Sequence, residues 1–411
     1  MKATIFRRAL VVGALLLTTA VATVAAAGPA PRACGESGGV TVCISVPSDT
    51  LTGDVPVTAT IEGKTPYDLV FTWESDDLLF DFQPPWTFVW PTDRFPNGPG
   101  RLGVSVKPHS AELGEAVLLP LTIDNPPRAG APDDWQQRFA PRQFDGDPLI
   151  AAVGDGGDGT RASAAVAQSV LDSRAGLLLF LGDVYETGTA AEWDYNYGRS
   201  SLDDPAGGRD WGRLAAFTKP TLGNHEAHHL DAWRDYWHGR PDYETFAWRG
   251  VRFLVLNSEC GVAGGCGPRS PQYKWAEQVL RDSPERCVIA TWHRPLMGPI
   301  PHEKMSDLWA LLADNGGDLV LNGHQHDMEE YEPLTGDLRP GGHLVQLIAG
   351  SGGHIPHDDP MPPHGIWQAS DQPGALYVQA RGDRLDWAYR DPAGQVVTDP
   401  GGVPGTGSVT C

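Results

Sequence analysis

Residues 149–157 read LIAAVGDGG and residues 177–185 read LLLFLGDVY. Each is a short apolar run that stops at Gly-Asp. A run of Leu, Ile, Val and Ala without alternation reads as a strand buried on both faces. The Gly-Asp that ends it places a carboxylate at the strand's carboxyl end. Between the two runs, Val166, Val170 and Leu171 recur at helical spacing within Arg161–Arg174. Strand, helix, strand is the unit of a sheet covered by helices. The same texture returns at Val251–Leu256, Val288–Thr291 and Leu319–Leu321, with helical patterns at Pro271–Leu280 and Lys304–Ala313. Further strands are expected at His343–Ala349, Ala375–Ala380 and Arg384–Tyr389. The expected class is α/β over residues 149–411.

Upstream the pattern changes. Val55, Val57, Ala59 and Ile61 alternate with polar or small residues, as do Leu102, Val104 and Val106, and Val117, Leu119, Leu121 and Ile123. Period two with Gly, Pro and Asp turns marks half-buried strands. Residues 28–125 therefore read as an all-β, immunoglobulin-like sandwich. No metal-ligand or nucleophile cluster falls in it, so it is expected to serve as a spacer or as a surface for protein contact. Residues 126–148 read as a linker, broken by Pro126, Pro127, Gly130, Pro132 and Pro141, whose Trp135 and Phe139 can dock on a neighbour.

The first 27 residues read as a signal peptide. Lys2, Arg7 and Arg8 precede an apolar run from Ala9 to Ala22, and Ala25-Ala26-Ala27 is a small-residue cleavage site. Their removal would take the net charge from −21 to −24. The run is short for a membrane span, and so acidic a chain lacks the basic face that nucleic acid or an anionic membrane requires. A secreted protein without a membrane span is expected. The six cysteines at 34, 43, 260, 266, 287 and 411 fit an oxidising destination. Cys34 with Cys43 and Cys260 with Cys266 could close small loops, and Cys287 could staple Cys411 to the core or stay a buried thiol.

Polar residues gather where the strands end, which is where ligands bind in open α/β sheets. Asp155 and Asp183 end the two quoted strands. Asn224 and His225 lie in Gly223-Asn224-His225-Glu226, His293 follows Ala290-Thr291-Trp292, and His324 and His326 lie in Gly323-His324-Gln325-His326. Carboxylate, amide oxygen and imidazole together suit borderline or hard metal ions rather than soft thiolate sites. An aspartate can bridge two ions, and two ions about 3.5–4 Å apart can clamp both oxygens of a phosphoryl displacement. Glu226 could orient His225. His228 and His229 could line the pocket or face solvent, and His302 and His354 could aid substrate binding or serve no role in the site.

In this order the motifs resemble those of the calcineurin-like metallophosphoesterases, and more closely the purple acid phosphatase-like branch, whose motifs are DxG, GDxxY, GNH(D/E), VxxH and GHxH. The resemblance implies a four-layer α/β/β/α domain with metals between the strand ends. Carried over by position, it implies that Asp155, Asp183, Tyr185 and His326 hold one ion and that Asp183 bridges. Asn224, His293 and His324 would hold the second, with His225 beside the substrate's leaving oxygen. It implies iron paired with zinc, manganese or a second iron. Beside the mild change of Ala290 at the start of VxxH, two positions depart from the pattern. Gly157 stands where many relatives have histidine, which fits the branch that uses a tyrosine instead. Tyr185 lies two residues after Asp183 where the branch has three, which leaves open whether it ligates.

The function implied is hydrolysis of small phosphate esters, monoesters before diesters, as in an acid phosphatase, by attack of a metal-bound hydroxide. A phosphodiesterase acting on nucleotides or lipid headgroups, and an inactive secreted binding protein, are the alternatives.

Overall fold

A computed structural model of the chain describes residues 30–62, 67–74, 76–81, 86–92, 97–108, 113–126, 134–204, 207–357 and 359–411. The signal peptide expected at 1–27 and residues 127–133 of the linker lie outside the described residues.

The apolar strands build two mixed sheets. One runs Thr218–Pro220, Leu177–Phe180, Leu149–Val153, Ala375–Arg381, Arg384–Arg390, Thr406–Thr410. Its first three strands are mutually parallel, and the C-terminal ones add antiparallel to Leu149–Val153. The other runs Glu244–Trp248, Val251–Val255, Cys287–Thr291, Leu319–Asn322, Val345–Ala349, Met328–Tyr331, Gly365–Ala369, parallel through its middle. Successive side chains on a strand point to opposite faces, and here both faces are dry. Ile150, Leu177 and Leu179 share one core with Phe253, Ile289 and Leu321 of the other sheet. Their neighbours Ala151, Leu178 and Phe180 pack outward on Val166 and Val170 of the Arg161–Asp172 helix. On the far side, Val288, Ala290 and Val320 pack outward on Leu280, Leu308 and Leu312 of helices Pro271–Asp282 and Ser306–Asp314. Helix, sheet, sheet, helix is the resulting layering. Each helix start follows from local chemistry: Thr160 accepts the N–H of Ser163, and Ser270 accepts that of Tyr273 with Pro271 as the first helical residue.

The upstream region also holds two sheets among its described residues, Arg32–Ser37, Val40–Ser45, Asp54–Glu62, Thr87–Pro91 and Thr50–Leu51, Val117–Ile123, Gly98–Pro108, Tyr67–Trp73, Asp76–Asp81. Val42, Ile44 and Val57 of the first meet Phe71, Val104 and Leu119 of the second in one core.

The linker reading needs one correction. Trp135–Arg138 is a turn of helix. Arg138 pairs with Asp134 at 2.7 Å, and Trp135 and Phe139 close over the buried Lys219 ammonium at 5.2 and 4.1 Å. The ion pair and the cation–aromatic packing order a segment whose prolines argued against any regular element.

Three disulfides join Cys34 to Cys43, Cys260 to Cys266, and Cys287 to Cys411 across 124 residues. No helix among the described residues is long and apolar enough to cross a membrane.

Candidate metal centre

The strands place their polar residues at one end of both sheets. Asp155 and Asp183 follow Leu149–Val153 and Leu177–Phe180, and Asn224 and His225 follow Thr218–Pro220. His293 follows Cys287–Thr291, and His324 and His326 follow Leu319–Asn322 of the second sheet. Asp155, Asp183 and His324 take positive φ of 59°, 72° and 70°. A non-glycine residue adopts this region at a cost of about 1–3 kcal/mol, and such residues concentrate at functional sites. Here the turn swings each side chain off its strand toward the others. Asp155 is held there by its N–H bond to Gly182 O at 2.9 Å.

One group contains Asp155, Tyr185 and His326. The Tyr185 hydroxyl donates to Asp155 Oδ1 at 2.9 Å and lies 2.9 Å from His326 Nε2, which is 3.5 Å from the same Oδ1. His326 donates its Nδ1–H to the Ile355 carbonyl at 2.8 Å, so its Nε2 faces the carboxylate. The short spacing therefore does not keep Tyr185 away. Its N–H bonds to Gly157 O at 2.8 Å, and Gly157 N–H bonds to Asp183 O at 3.3 Å. A Cβ at 157 would sit 2.7 Å from Val184 Cγ2 and 2.9 Å from Asp183 O. The space that a side chain at 157 would fill is taken by the segment that carries the tyrosine.

The other group contains Asp183, Asn224, His293 and His324. His293 Nε2 lies 3.2 Å from Asp183 Oδ2 and 3.0 Å from Asn224 Oδ1, and its Nδ1–H donates to Leu181 O at 2.8 Å. Donor atoms of Asp183, His293 and His324 all lie within 4.8 Å of one another. The His324 N–H donates to Asp155 Oδ2 at 2.8 Å, which joins the two groups.

His225 stands over both groups. It is a quarter exposed, with Nε2 3.7 Å from Asp183 Oδ2 and its ring edge-on to Tyr185 at 4.5 Å. Its Nδ1 bonds the Glu186 carbonyl. The expectation for Glu226 is corrected here. Its buried carboxylate accepts the N–H of Asp183 at 3.2 Å and so supports that backbone, while His225 takes its orientation from Glu186. Gly223 is required for this: a Cβ there would lie 2.1 Å from Asp183 Oδ1 and 2.6 Å from Glu226 Oε2.

The local electrostatics are those of buried acids beside imidazoles. Burial pushes Asp155 up to about 8, against the pull of His293. Burial acts the same way on Asp183, but His293, His225 and His324 hold it below the usual carboxylate range. Burial alone would lower His293; Asp183, Asp155 and Glu226 outweigh it and raise the imidazole to about 10. His324 falls to about 2 through burial and the nearby His293 and Arg294, and His326 to about 3 through burial, His354 and His357. Burial and the two aspartates raise Tyr185 well above 10.

The residues present fit metal ions. Asp155 and Asp183 are 0% and 1% exposed. Burying carboxylates costs several kcal/mol each unless positive charge compensates. Two histidines have committed Nδ1 to backbone carbonyls, which leaves Nε2 as the atom that faces the acids. Carboxylate, phenol, amide and imidazole donors together suit hard or borderline metal ions.

Sequence reasoning missed several neighbours. Arg294 is held by Glu259 at 2.7 Å and reaches His324 Nε2 at 3.2 Å. His357 stacks on His326 at 3.9 Å. His354, left undecided, stacks on Tyr185 at 3.7 Å and pairs with Asp158 at 3.3 Å. None belongs to a repeated motif; an arginine directly after His293 was the one usable signal. His228 is exposed, and His302 Nε2 bonds the Ser258 carbonyl at 3.0 Å. A groove of about 780 Å³ beside Asp145, Arg174 and Tyr377 is lined by none of these site residues.

Residues 148–328 match the family model of the calcineurin-like phosphoesterases. This part of the chain is a metallophosphoesterase domain, the domain of metal-dependent phosphoric ester hydrolases. Among solved structures, the chain is similar to a purple acid phosphatase from yellow lupin (Lupinus luteus) seeds. The identity is 14% and the TM-score 0.49, with 93% of this chain and 74% of that one covered. It is similar to GAP50, the anchor in the inner membrane complex of Plasmodium, at 14% identity and TM-score 0.48, covering 64% and 89%. It is also similar to PhoD at 11% identity and TM-score 0.45, covering 92% and 88%. No curated protein matches the chain.

Proposed function

We propose that the chain is a secreted phosphomonoesterase of the purple acid phosphatase-like branch, with a dinuclear metal centre. The observation that carries the reading is the aim of His326 and His293: each donates Nδ1–H to a backbone carbonyl and turns Nε2 toward a buried aspartate. Asp155, Tyr185 and His326 would hold one ion, Asn224, His293 and His324 the other, and Asp183 would serve both. Iron at the first position with zinc, manganese or iron at the second fits the donor chemistry. When bound, the ions supply charge to hold phosphate and make water acidic enough to be a nucleophile.

The chain's own residues do the rest. Asp155 and Asp183, held in short, glycine-flanked turns, would fix the positions of the ions. Arg294, anchored by Glu259, presents a fixed positive charge for a phosphate oxygen. His225, tied at Nδ1 to a carbonyl, keeps Nε2 directed at the centre. As water adds to phosphorus and the ester P–O bond breaks, a proton on His225 Nε2 passes to the leaving oxygen. The upstream two-sheet region reads as an immunoglobulin-like accessory domain over 28–125, followed by the linker 126–148 and the catalytic domain 149–411. The leader at 1–27 and the disulfides support secretion.

Rates on p-nitrophenyl phosphate and bis(p-nitrophenyl) phosphate test the substrate class. Faster turnover of the monoester is expected. A clear preference for the diester would overturn the monoesterase reading while leaving the metal centre standing.

A further inference from the structure

The Ala190–Glu192 helix, which ends the loop that follows Tyr185, carries a carboxylate that no motif covers. Glu192 is 0% exposed, and four donors converge on it. Its Oε1 accepts the N–H of Glu186. Its Oε2 accepts the N–H of Thr187 at 3.2 Å, the N–H of Thr189 at 2.8 Å and the Thr189 hydroxyl at 3.0 Å. The Thr189 hydroxyl in turn accepts the Glu192 N–H, which closes a capping box. Burial raises the carboxyl to about 8 against the pull of these bonds. A buried acid with this many donors holds the loop in one shape.

That shape sets the position of the Glu186 carbonyl, the partner of His225 Nδ1. The following turns are fixed from the other side. Ala191 belongs to the core of the upstream two-sheet region, Tyr195 packs on that core with its ring 5.4 Å from Phe88, and Arg199 pairs with Asp54. Asn196 donates to the Tyr185 carbonyl at 2.6 Å. A continuous set of contacts therefore runs from the upstream sheets through Ala191 and Glu192 to Glu186 and His225.

We infer that Glu192 is the positioning residue for His225: it locks the Glu186 carbonyl that orients the imidazole, and the upstream region serves the reaction by seating its helix. This rests on the proposed role of His225 as proton donor. Glu192→Gln is a sharp probe, because an amide cannot accept every one of the four bonds, and its NH2 faces a backbone N–H. Correct proton delivery matters most when the leaving group is poor. In the metal-loaded full chain, Glu192→Gln should lower kcat on glycerol 2-phosphate about tenfold or more, and change p-nitrophenyl phosphate by less than about twofold. Bound metal should be unchanged. Adding it to His225→Ala should cost nothing further, because both changes remove the same contribution. The 15N signals of the His225 ring should shift with the loss of a fixed Nδ1 partner.

Equal losses on both substrates, or losses that multiply with His225→Ala, would overturn the role of Glu192. If His225→Ala itself does not distinguish the two leaving groups, the proton-donor reading falls instead. The 15N signals then decide on Glu192 alone: unchanged signals in Glu192→Gln contradict it. Should that variant not fold, Thr189→Val removes one bond to the carboxylate and should show the same leaving-group bias, smaller. Equal slowing of both substrates by Thr189→Val would also contradict the inference.

Discussion

The two halves of the candidate centre are built differently. Asn224, His293 and His324 sit within a few residues of strand ends, and their side chains are set by the sheets. In the other half, Asp155 and His326 are fixed in the same way, but the third donor, Tyr185, depends on a loop that packs against Gly157. The first half is a property of the sheet; the second is a property of how one loop closes on it. In the proposed centre Asp183 would serve both. The halves should therefore fail separately when a residue of one is changed and together when Asp183 is.

Asp183→Ala should have the largest effect: loss of metal and a fall in kcat/KM of at least about 10³-fold, or ~4 kcal/mol, measured by elemental analysis and initial rates. Full activity would break the shared-centre account. Tyr185→Phe should be milder, on the order of 10–100-fold, with metal loss confined to the first half. In an iron-loaded protein it should abolish the visible tyrosinate–Fe(III) band; a band that survives removes Tyr185 from the ligands. Gly157→Ala should cost roughly 1–3 kcal/mol in thermal unfolding through overpacking against Val184. It should weaken the tyrosine half before the histidine half.

The smallest effect concerns pH. In the metal-free chain Asp155 is raised from 3.8 to about 8 and His293 from 6.5 to about 10. Each then keeps, when folded, a proton that the unfolded chain has released. The stability they give is full below their unfolded values and is lost as pH rises through the folded ones. Between pH 6.5 and 10 the metal-free protein should lose thermal stability, and the gain from added metal should grow. A metal-free protein that becomes more stable across that window would contradict these assignments.

The same contrast explains what could be read in the sequence. Asp155, Asp183, Asn224, His293, His324 and His326 were legible because strand ends force them into short glycine-flanked motifs, and the structure brings them together. The alternating and continuous apolar runs foretold most strands, since burial on one or two faces writes its period into the chain. Residues that act from loops left no such period. Glu192 falls in no motif, and Arg294 and His357 gained meaning from neighbours 35 and 31 positions away, Glu259 and His326. The partner of Glu226 could not be read, because it is decided by which backbone N–H the fold carries past it. The Trp135–Arg138 turn was hidden because its support comes from Lys219, far along the chain.

Elemental analysis of the purified full chain after reconstitution with iron, zinc or manganese, with phosphate release followed on the same sample, tests the central claim most directly. The account predicts two ions per chain and hydrolysis that a chelator abolishes and added metal restores. A folded protein that binds no ion and releases no phosphate would contradict it.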